Sequence, residues 1–207
     1  MALDMDQLMT ELSKKREIFV SEADFQLELA WLIKEQYPDA KVRLEYCPAL
    51  QKNMRLDILV TIDGKWIPIE LKYKKKGFKA QIEDEYYDLR DHGAKDHGCY
   101  DYLKDIQRIE TLKKKAPPFQ EGYAILLTND PAFRVKPKSK DAHYSAFSIH
   151  EGAVKHGTMD WGPGTGDGTK GRDRAASITL AGSYKMHWKP YSEMEGATFQ
   201  VLISKIS

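Results

Sequence analysis

The chain has 207 residues, of which 42% are hydrophobic, and this favours one domain with a sizeable core over two full domains. Its 32 Lys and Arg residues nearly balance 31 Asp and Glu residues, giving a net charge of +1. Overall charge therefore excludes global attraction to a polyanion, and any nucleic-acid surface must be local. Cys47 and Cys99 form no CxxC pair, so we expect reduced thiols without a zinc knuckle or a disulfide framework.

The first twenty residues contain charged side chains among the apolar ones, a pattern that argues against a signal peptide. No apolar run approaches the length needed to span a membrane. We therefore expect a cytoplasmic protein with no membrane partner.

Two helices are predicted before the first strand. Residues 3–18 place apolar side chains at loosely helical spacing. Ser21 caps a second helix, with an acidic residue three positions later, and Pro38 marks its far end. Glu28 falls at the edge of the apolar stripe of this helix, where an unpaired carboxylate is costly. It either pairs with a lysine or reaches water, or it lies beside a metal site.

A β-hairpin is predicted for residues 55–76, after a strand at 41–47. Its turn is Asp63-Gly64, a dipeptide that accepts the positive φ angles of a type I′ turn. Since side chains alternate along a strand, one face should be apolar and the other polar. The apolar face consists of Leu56, Ile58, Val60, Ile62, Ile67, Ile69 and Leu71. The polar face carries Asp57 opposite Glu70, and Arg55 opposite Lys72.

The polar face of this hairpin suggests a metal site. Opposed side chains lie about 5 Å apart, so two carboxylates repel each other unless a cation compensates. Asp57 and Glu70, with the main-chain carbonyl of Leu71, supply the hard oxygen ligands that Mg²⁺ prefers, and they leave room for water and a phosphate. The alternative is a solvated polar face on which Arg55 and Lys72 neutralise the two carboxylates.

The next elements are a charged helix at 81–90, a stronger helix at 100–115 and an apolar strand at 122–128. The strand is apolar on both faces, as expected of a central parallel strand covered by helices. On the second helix, Lys104 and Arg108 lie one turn apart and could contact successive phosphates. The alternative is that they pair with Asp101 and Asp105.

Residues 130–207 are predicted to be a β-rich extension, with strands around Phe147 and at 178–180, 184–188 and 199–206. The glycine-rich segment 162–171 is expected to be a mobile loop, and it does not match a phosphate-binding P-loop. Three histidines match no metal motif, and three aromatic side chains are expected to pack within the extension rather than stack on bases. These residues are His143, His150, His156, Trp161, Trp188 and Tyr191.

The set Asp57, Glu70 and Lys72 resembles the signature of the PD-(D/E)XK nuclease superfamily, the restriction-endonuclease-like proteins. In that family, an Asp on one strand and a Glu-x-Lys on the next hold the metal, and the lysine positions or activates the attacking water. The resemblance covers residues 21–129 and implies an αβββαβ core with a mixed sheet flanked by helices, within a single domain of residues 1–207. Glu28 matches the helix glutamate that many members add. The chain departs from the family pattern at Leu56, where proline is usual, and no clear glutamine motif follows the lysine.

The resemblance implies a DNA nuclease that depends on Mg²⁺, with Mn²⁺ as a substitute. Asp57, Glu70, Leu71 and Glu28 would hold the metal, and Lys72 would act on the attacking water. The cations expected to contact the DNA backbone are Arg55, Lys74, Lys75, Lys76, Lys104 and Arg108. Many such nucleases work as homodimers. The alternatives are a non-catalytic member of the fold that binds nucleic acid or protein, and an unrelated α/β binding domain.

Overall fold

The computed structural model describes residues 2–49, 54–115, 118–139, 142–171 and 173–207. The helices are α1 (Met5–Lys15), α2 (Glu22–Gln36), α3 (Lys95–Lys115) and α4 (Asp167–Lys170). The strands are β1 (Lys41–Tyr46), β2 (Leu56–Ile62), β3 (Lys65–Lys74), β4 (Phe78–Ile82), β5 (Glu85–Leu89), β6 (Gly122–Thr128), β7 (Val154–Met159), β8 (Ile178–Lys185), β9 (Trp188–Met194) and β10 (Ala197–Ile206). Short 3₁₀ turns cover Pro131–Arg134 and Ser145–Phe147.

The fold is mixed α/β, with a central mixed sheet flanked by helices. The sheet order is β1-β2-β3-β6-β10-β9, and β3 and β6 are parallel whereas the other neighbours are antiparallel. The pairs β4-β5 and β7-β8 form separate two-stranded sheets. Among the described residues, no helix has both the length and the hydrophobicity needed to cross a membrane.

Helices cover both faces of the sheet. Residues of α1 and α2 share one core with Ile58, Ile69 and other side chains of the hairpin, whereas α3 packs on the opposite face with β8 and β10. Strand β6 contributes to both cores and is buried along its whole length. The prediction of a central, doubly covered parallel strand is confirmed.

Local sequence explains where the best-predicted elements begin and turn. Ser21 caps α2, because its hydroxyl accepts a hydrogen bond from the Asp24 amide at 3.1 Å. Asp63 and Gly64 have φ angles of 52° and 74°, as a type I′ turn requires. The hairpin register is confirmed where β2 and β3 pair, with Ile58 opposite Ile69.

The helix predicted for 81–90 is wrong. This segment forms the hairpin β4-β5, in which Tyr87 and Leu89 are buried against the first core while the charged residues face outward. Apolar side chains at alternate positions indicate a strand, and Glu83 adopts a φ of 51° in the turn. High charge on the outer face concealed this two-residue period.

Three smaller expectations also differ from the structure. Phe147 lies in a 3₁₀ turn rather than a strand, and one helical turn, α4, forms inside the glycine-rich segment 162–171. Leu56 packs with Leu59 and Leu112 instead of with Ile58. Glu45, across from this end of β2, has a φ of 51°, so the regular alternation of side chains is interrupted there.

Candidate active site

The site lies where β2 and β3 separate. Their backbone pairing extends to Ile58 and Ile69, and beyond it the side chain of Asp57 bridges the two strands by accepting a hydrogen bond from the Leu71 amide at 2.6 Å. The side-chain amide of Gln26, on α2, donates a hydrogen bond to the main-chain carbonyl of Asp57 at 2.5 Å and so holds the end of β2. The Asp57 carboxylate is thereby fixed against β3.

Glu70 is fully buried, and its charge is balanced by a residue of α3. The guanidinium of Arg108 lies against both carboxylate oxygens, with Nη2 3.2 Å from Oε1 and Nη1 3.4 Å from Oε2. Burial raises the pKa of Glu70 well above its ordinary value, and the negative charge of Asp105 adds to this effect although Arg108 opposes it.

Asp105 connects the remaining charges. One of its oxygens lies 2.8 Å from Lys72 Nζ, and the other lies 3.2 Å from Arg108 Nη1. Lys72 also donates to the Leu71 carbonyl at 2.9 Å. Lys72, Asp105, Arg108 and Glu70 therefore form a chain of alternating charge, which we call the α3 charge chain.

The electrostatics set the protonation states of Lys72 and Asp57. Burial alone would lower the pKa of Lys72, but the nearby carboxylates outweigh it and raise the pKa well above its ordinary value. Lys72 is thus an ammonium group at neutral pH. Burial raises the pKa of Asp57 to about 6, although Lys72 and the Leu71 amide favour its charged form.

The carboxylate that α2 brings nearest to these groups is Glu22, not Glu28. Glu22 accepts a hydrogen bond from the Tyr73 amide at 2.7 Å, and its charge acts on both Asp57 and Lys72. Glu28 instead forms an ion pair with Arg16 at 3.1 Å. At roughly 100° per residue, Glu28 lies about 200° around α2 from Gln26, which faces Asp57. The structure therefore does not bring Glu28 together with Asp57 and Glu70.

Comparisons of the chain with protein-family models, with curated proteins and with solved structures found no match.

Carboxylate oxygens are the main donors of the site. Among the described residues, the carboxylates whose charges interact here are Glu22, Asp57, Glu70 and Asp105, and the cations that oppose them are Lys72 and Arg108. Within the described ranges, no three His, Cys, Asp or Glu side chains converge as metal ligands, so an ion would rest on Asp57, Glu70, the Leu71 carbonyl and water. The buried atoms Glu70 Oε1 and Asp105 Oδ2 have ion-pair neighbours but no hydrogen bond of regular geometry.

The residues predicted to contact nucleic acid fall into two groups. Arg55, two residues before Asp57, and Lys76, in the segment after β3, are exposed. The other side chains already have partners within the protein or are half-buried: Lys74 lies near Gly98, Lys75 donates to the Val20 carbonyl at 2.8 Å, and Lys104 donates to the Asp173 carbonyl at 2.9 Å. Arg108 belongs to the α3 charge chain, in which it pairs with Asp105 as expected.

Lys104 does not pair with Asp101. That carboxylate binds Arg174 through two contacts of 2.7 Å. The alternative pairing expected for this helix is therefore confirmed for Arg108 and wrong for Lys104.

The aromatic side chains of the C-terminal region serve packing, as expected. Trp161 stacks on Tyr100 with ring centroids 5.4 Å apart, and the Trp188 indole donates to the Ile149 carbonyl at 2.8 Å. The Tyr191 hydroxyl donates to the Arg16 carbonyl at 2.7 Å. Two of the histidines have polar partners, His143 with Asp96 at 3.0 Å and His150 with Ser148 at 3.1 Å, while His156 is exposed.

Sequence reasoning missed Glu22, and it missed the central role of Asp105 in the site. Asp105 occupies an inward position of α3, between the buried residues Tyr102 and Ile106, and is itself 3% exposed. An acidic residue within an apolar helical stripe signals a buried ion pair, because a lone charge there is costly. Glu22 carried no comparable signal, since acidic residues are common in the first turn of a helix.

Proposed function

We propose that the chain is a metal-dependent nuclease of the PD-(D/E)XK type that hydrolyses DNA phosphodiester bonds. The observation that carries this proposal is the meeting of Asp57, Glu70 and Lys72 at the point where β2 and β3 separate, with Asp57 bonded to the Leu71 amide between the other two residues. Two carboxylates beside a lysine held as ammonium support the resemblance to the signature.

The order of elements supports the finer fold assignment. The elements α2, β1, β2, β3, α3 and β6 follow one another in the αβββαβ order that the resemblance implies, with the β4-β5 hairpin inserted before α3. In the sheet, β1, β2, β3 and β6 are consecutive neighbours, and the residues of the signature lie on the adjacent inner strands β2 and β3.

The metal would be held by Asp57, Glu70 and the Leu71 carbonyl, and Mg²⁺ with Mn²⁺ as a substitute suits these oxygen donors. When bound, such an ion polarises a phosphoryl oxygen and lowers the pKa of an attacking water. Glu22, through the Tyr73 amide, stabilises the strand beside the site and adds negative charge to it.

Lys72 acts as a fixed positive charge. Because it is protonated in the metal-free protein, its expected role is to orient the water or to stabilise the charge that develops on the phosphate. Asp105 is the residue that holds this ammonium in place, at 2.8 Å.

The exposed cations Arg55 and Lys76 are the best-placed contacts for the DNA backbone. Contacts of this kind give an affinity that is independent of sequence and falls as salt rises. A homodimer and a cytoplasmic location stay predictions from the sequence.

A cleavage assay tests the proposal. Supercoiled plasmid and a labelled single strand are incubated with Mg²⁺, Mn²⁺ or EDTA, using wild type, Asp57→Ala, Lys72→Ala and the control Lys79→Ala. Lys79 also pairs with a carboxylate, Asp88 at 3.1 Å, but on the outer hairpin β4-β5.

We expect metal-dependent cleavage by wild type and Lys79→Ala only, with circular dichroism verifying that each variant is folded. Cleavage that survives both Asp57→Ala and Lys72→Ala would refute the assignment. DNA binding with no cleavage under any metal condition would replace it with the non-catalytic alternative.

A further inference from the structure

Arg108 divides its guanidinium donors among four acceptors. It faces both oxygens of Glu70, one oxygen of Asp105 at 3.2 Å, and the main-chain carbonyl of Arg55, to which Nη2 donates. Glu70 is fully buried, whereas the Arg108 side chain is 27% exposed. The positive partner of this buried carboxylate is therefore within reach of solvent.

A second arginine, which binds a carboxylate of the same helix, shows that the contacts of Arg108 with Glu70 are long. Arg174 binds Asp101 of α3 through Nε and Nη2, both at 2.7 Å. The contacts of Arg108 with Glu70 are 3.2 and 3.4 Å, beyond the roughly 2.7–2.9 Å usual for charge-assisted hydrogen bonds. Glu70 Oε1 in addition lacks a hydrogen bond of regular geometry. The contacts between Arg108 and the buried Glu70 are thus longer than those between Arg174 and Asp101.

We propose that Arg108 is an exchangeable counter-ion of Glu70, which a divalent cation displaces when it binds. This inference rests on the proposed metal site. A carboxylate that ligates a metal cannot also offer both oxygens to a guanidinium, so the two cations bind Glu70 alternately. The metal-free protein keeps Glu70 neutralised by Arg108, and metal binding returns this guanidinium to the surface.

The displaced guanidinium remains anchored near the site. Its contacts with Asp105 and with the Arg55 carbonyl do not involve Glu70 and can persist after the exchange. Arg55 is exposed, so the freed donors of Arg108 lie at the rim of the site, where they are suited to a backbone phosphate. Metal binding would in this way expose a DNA-binding arginine.

Chemical modification of the wild-type protein tests the exchange without relying on activity. Phenylglyoxal, which reacts with accessible guanidinium groups, is applied with Mg²⁺ or with EDTA, and modification of each arginine is followed by peptide mass spectrometry. We expect Arg108 to react several-fold faster with Mg²⁺, while Arg174 keeps the same rate in both conditions. An Arg108 rate unchanged by saturating Mg²⁺ would overturn the inference.

Metal affinity gives the second test. Mn²⁺ binding is measured by electron paramagnetic resonance for wild type, Arg108→Gln and the matched control Arg174→Gln. Removing the competing cation should tighten Mn²⁺ binding by roughly tenfold in Arg108→Gln, which is about 1.4 kcal/mol in the free energy of binding. Arg174→Gln should bind as wild type does.

The outcomes separate this inference from the proposed function. Equal Mn²⁺ affinity in wild type and Arg108→Gln would reject the exchange but leave the metal site standing. The absence of Mn²⁺ binding in every variant would reject both. Should Arg108→Gln fail to fold, the modification rates of the wild-type protein still decide.

Discussion

Asp105 and Lys72 form a buried ion pair across two elements, with Oδ2 of the α3 carboxylate 2.8 Å from the ammonium of the β3 lysine. Their side chains are only 5% and 16% exposed. Because Asp105 also contacts Arg108, it fixes both cations of the site with one carboxylate. The geometry of the site therefore depends on a residue outside the set predicted from the sequence to hold the metal.

Asp105→Asn should destabilise the protein by about 3 kcal/mol, because breaking a buried ion pair leaves its partner charge uncompensated. Urea unfolding monitored by circular dichroism measures the change. Asp88→Asn, which weakens the exposed pair with Lys79, should cost about 1 kcal/mol or less. Equal losses in the two variants would show that burial adds nothing to the Asp105 contacts.

Asp57 should make the stability of the metal-free protein dependent on pH. Burial raises its pKa from 3.8 to about 6, so the folded state binds a proton that the unfolded state releases between these values. The stabilisation from this proton is fully present below about pH 4 and is lost as the pH rises through 6.

The check is the melting temperature in EDTA between pH 4.5 and 7.5, for wild type and Asp57→Asn. The asparagine side chain stays neutral at every pH. We therefore expect the melting temperature of Asp57→Asn to rise relative to that of wild type as the pH increases through 6. A difference that is constant with pH would contradict the assignment. Metal affinity should have the opposite dependence and increase over the same range, because the ligand must be deprotonated.

Glu22→Gln and Glu28→Gln distinguish the two carboxylates of α2. Glu22 acts electrostatically on Asp57 and Lys72, so its neutralisation should reduce Mg²⁺ affinity or cleavage by about tenfold. Glu28→Gln should remain within about twofold of wild type, since it disturbs only a partly exposed pair with Arg16 that lies away from Asp57 and Lys72. The titration of cleavage rate against Mg²⁺ concentration measures both effects, and a larger loss in Glu28→Gln would restore the expectation from the sequence.

Gly122→Ala should disturb the site from a distance. A β-carbon at this position would collide with Ile109 of α3 and press on Pro68 of β3, the two elements that carry the charged residues. We expect a loss of about 2 kcal/mol in the free energy of unfolding, as is usual for overpacking, together with weaker metal binding. Gly168→Ala meets no atom within 4 Å and serves as the control in urea unfolding and Mn²⁺ titration.

The sequence was most informative where short-range periodicity coincides with a buried face. Asp63-Gly64 defined the hairpin register and thus the proximity of Asp57 to Glu70, and the apolar run at 122–128 identified β6. Such features depend on neighbouring residues and on the pleat of the strand, so they can be predicted without tertiary contacts.

The parts that were missed depend on how separate elements meet. The rotation of α2 about its axis decides whether Glu22 or Glu28 faces the sheet, and that rotation is set by packing rather than by helical spacing. Similarly, Asp105 joins the site only because α3 crosses β3 at Lys72. The helix predicted at 81–90 failed for a different reason, since its alternating pattern lay within a run of charged residues.

The position of β10 has a consequence for synthesis of the protein. β10 pairs along the whole of β6, from Gln200 opposite Thr128 to Ile206 opposite Gly122, and β9 is held in turn by β10. While the chain is being translated, β3 and β6 can associate early, but β6 keeps an open hydrogen-bonding edge until residues 197–206 have left the ribosome. An apolar open edge is a template for aggregation, so ribosome-bound or truncated chains that stop before β10 are the form most dependent on chaperones.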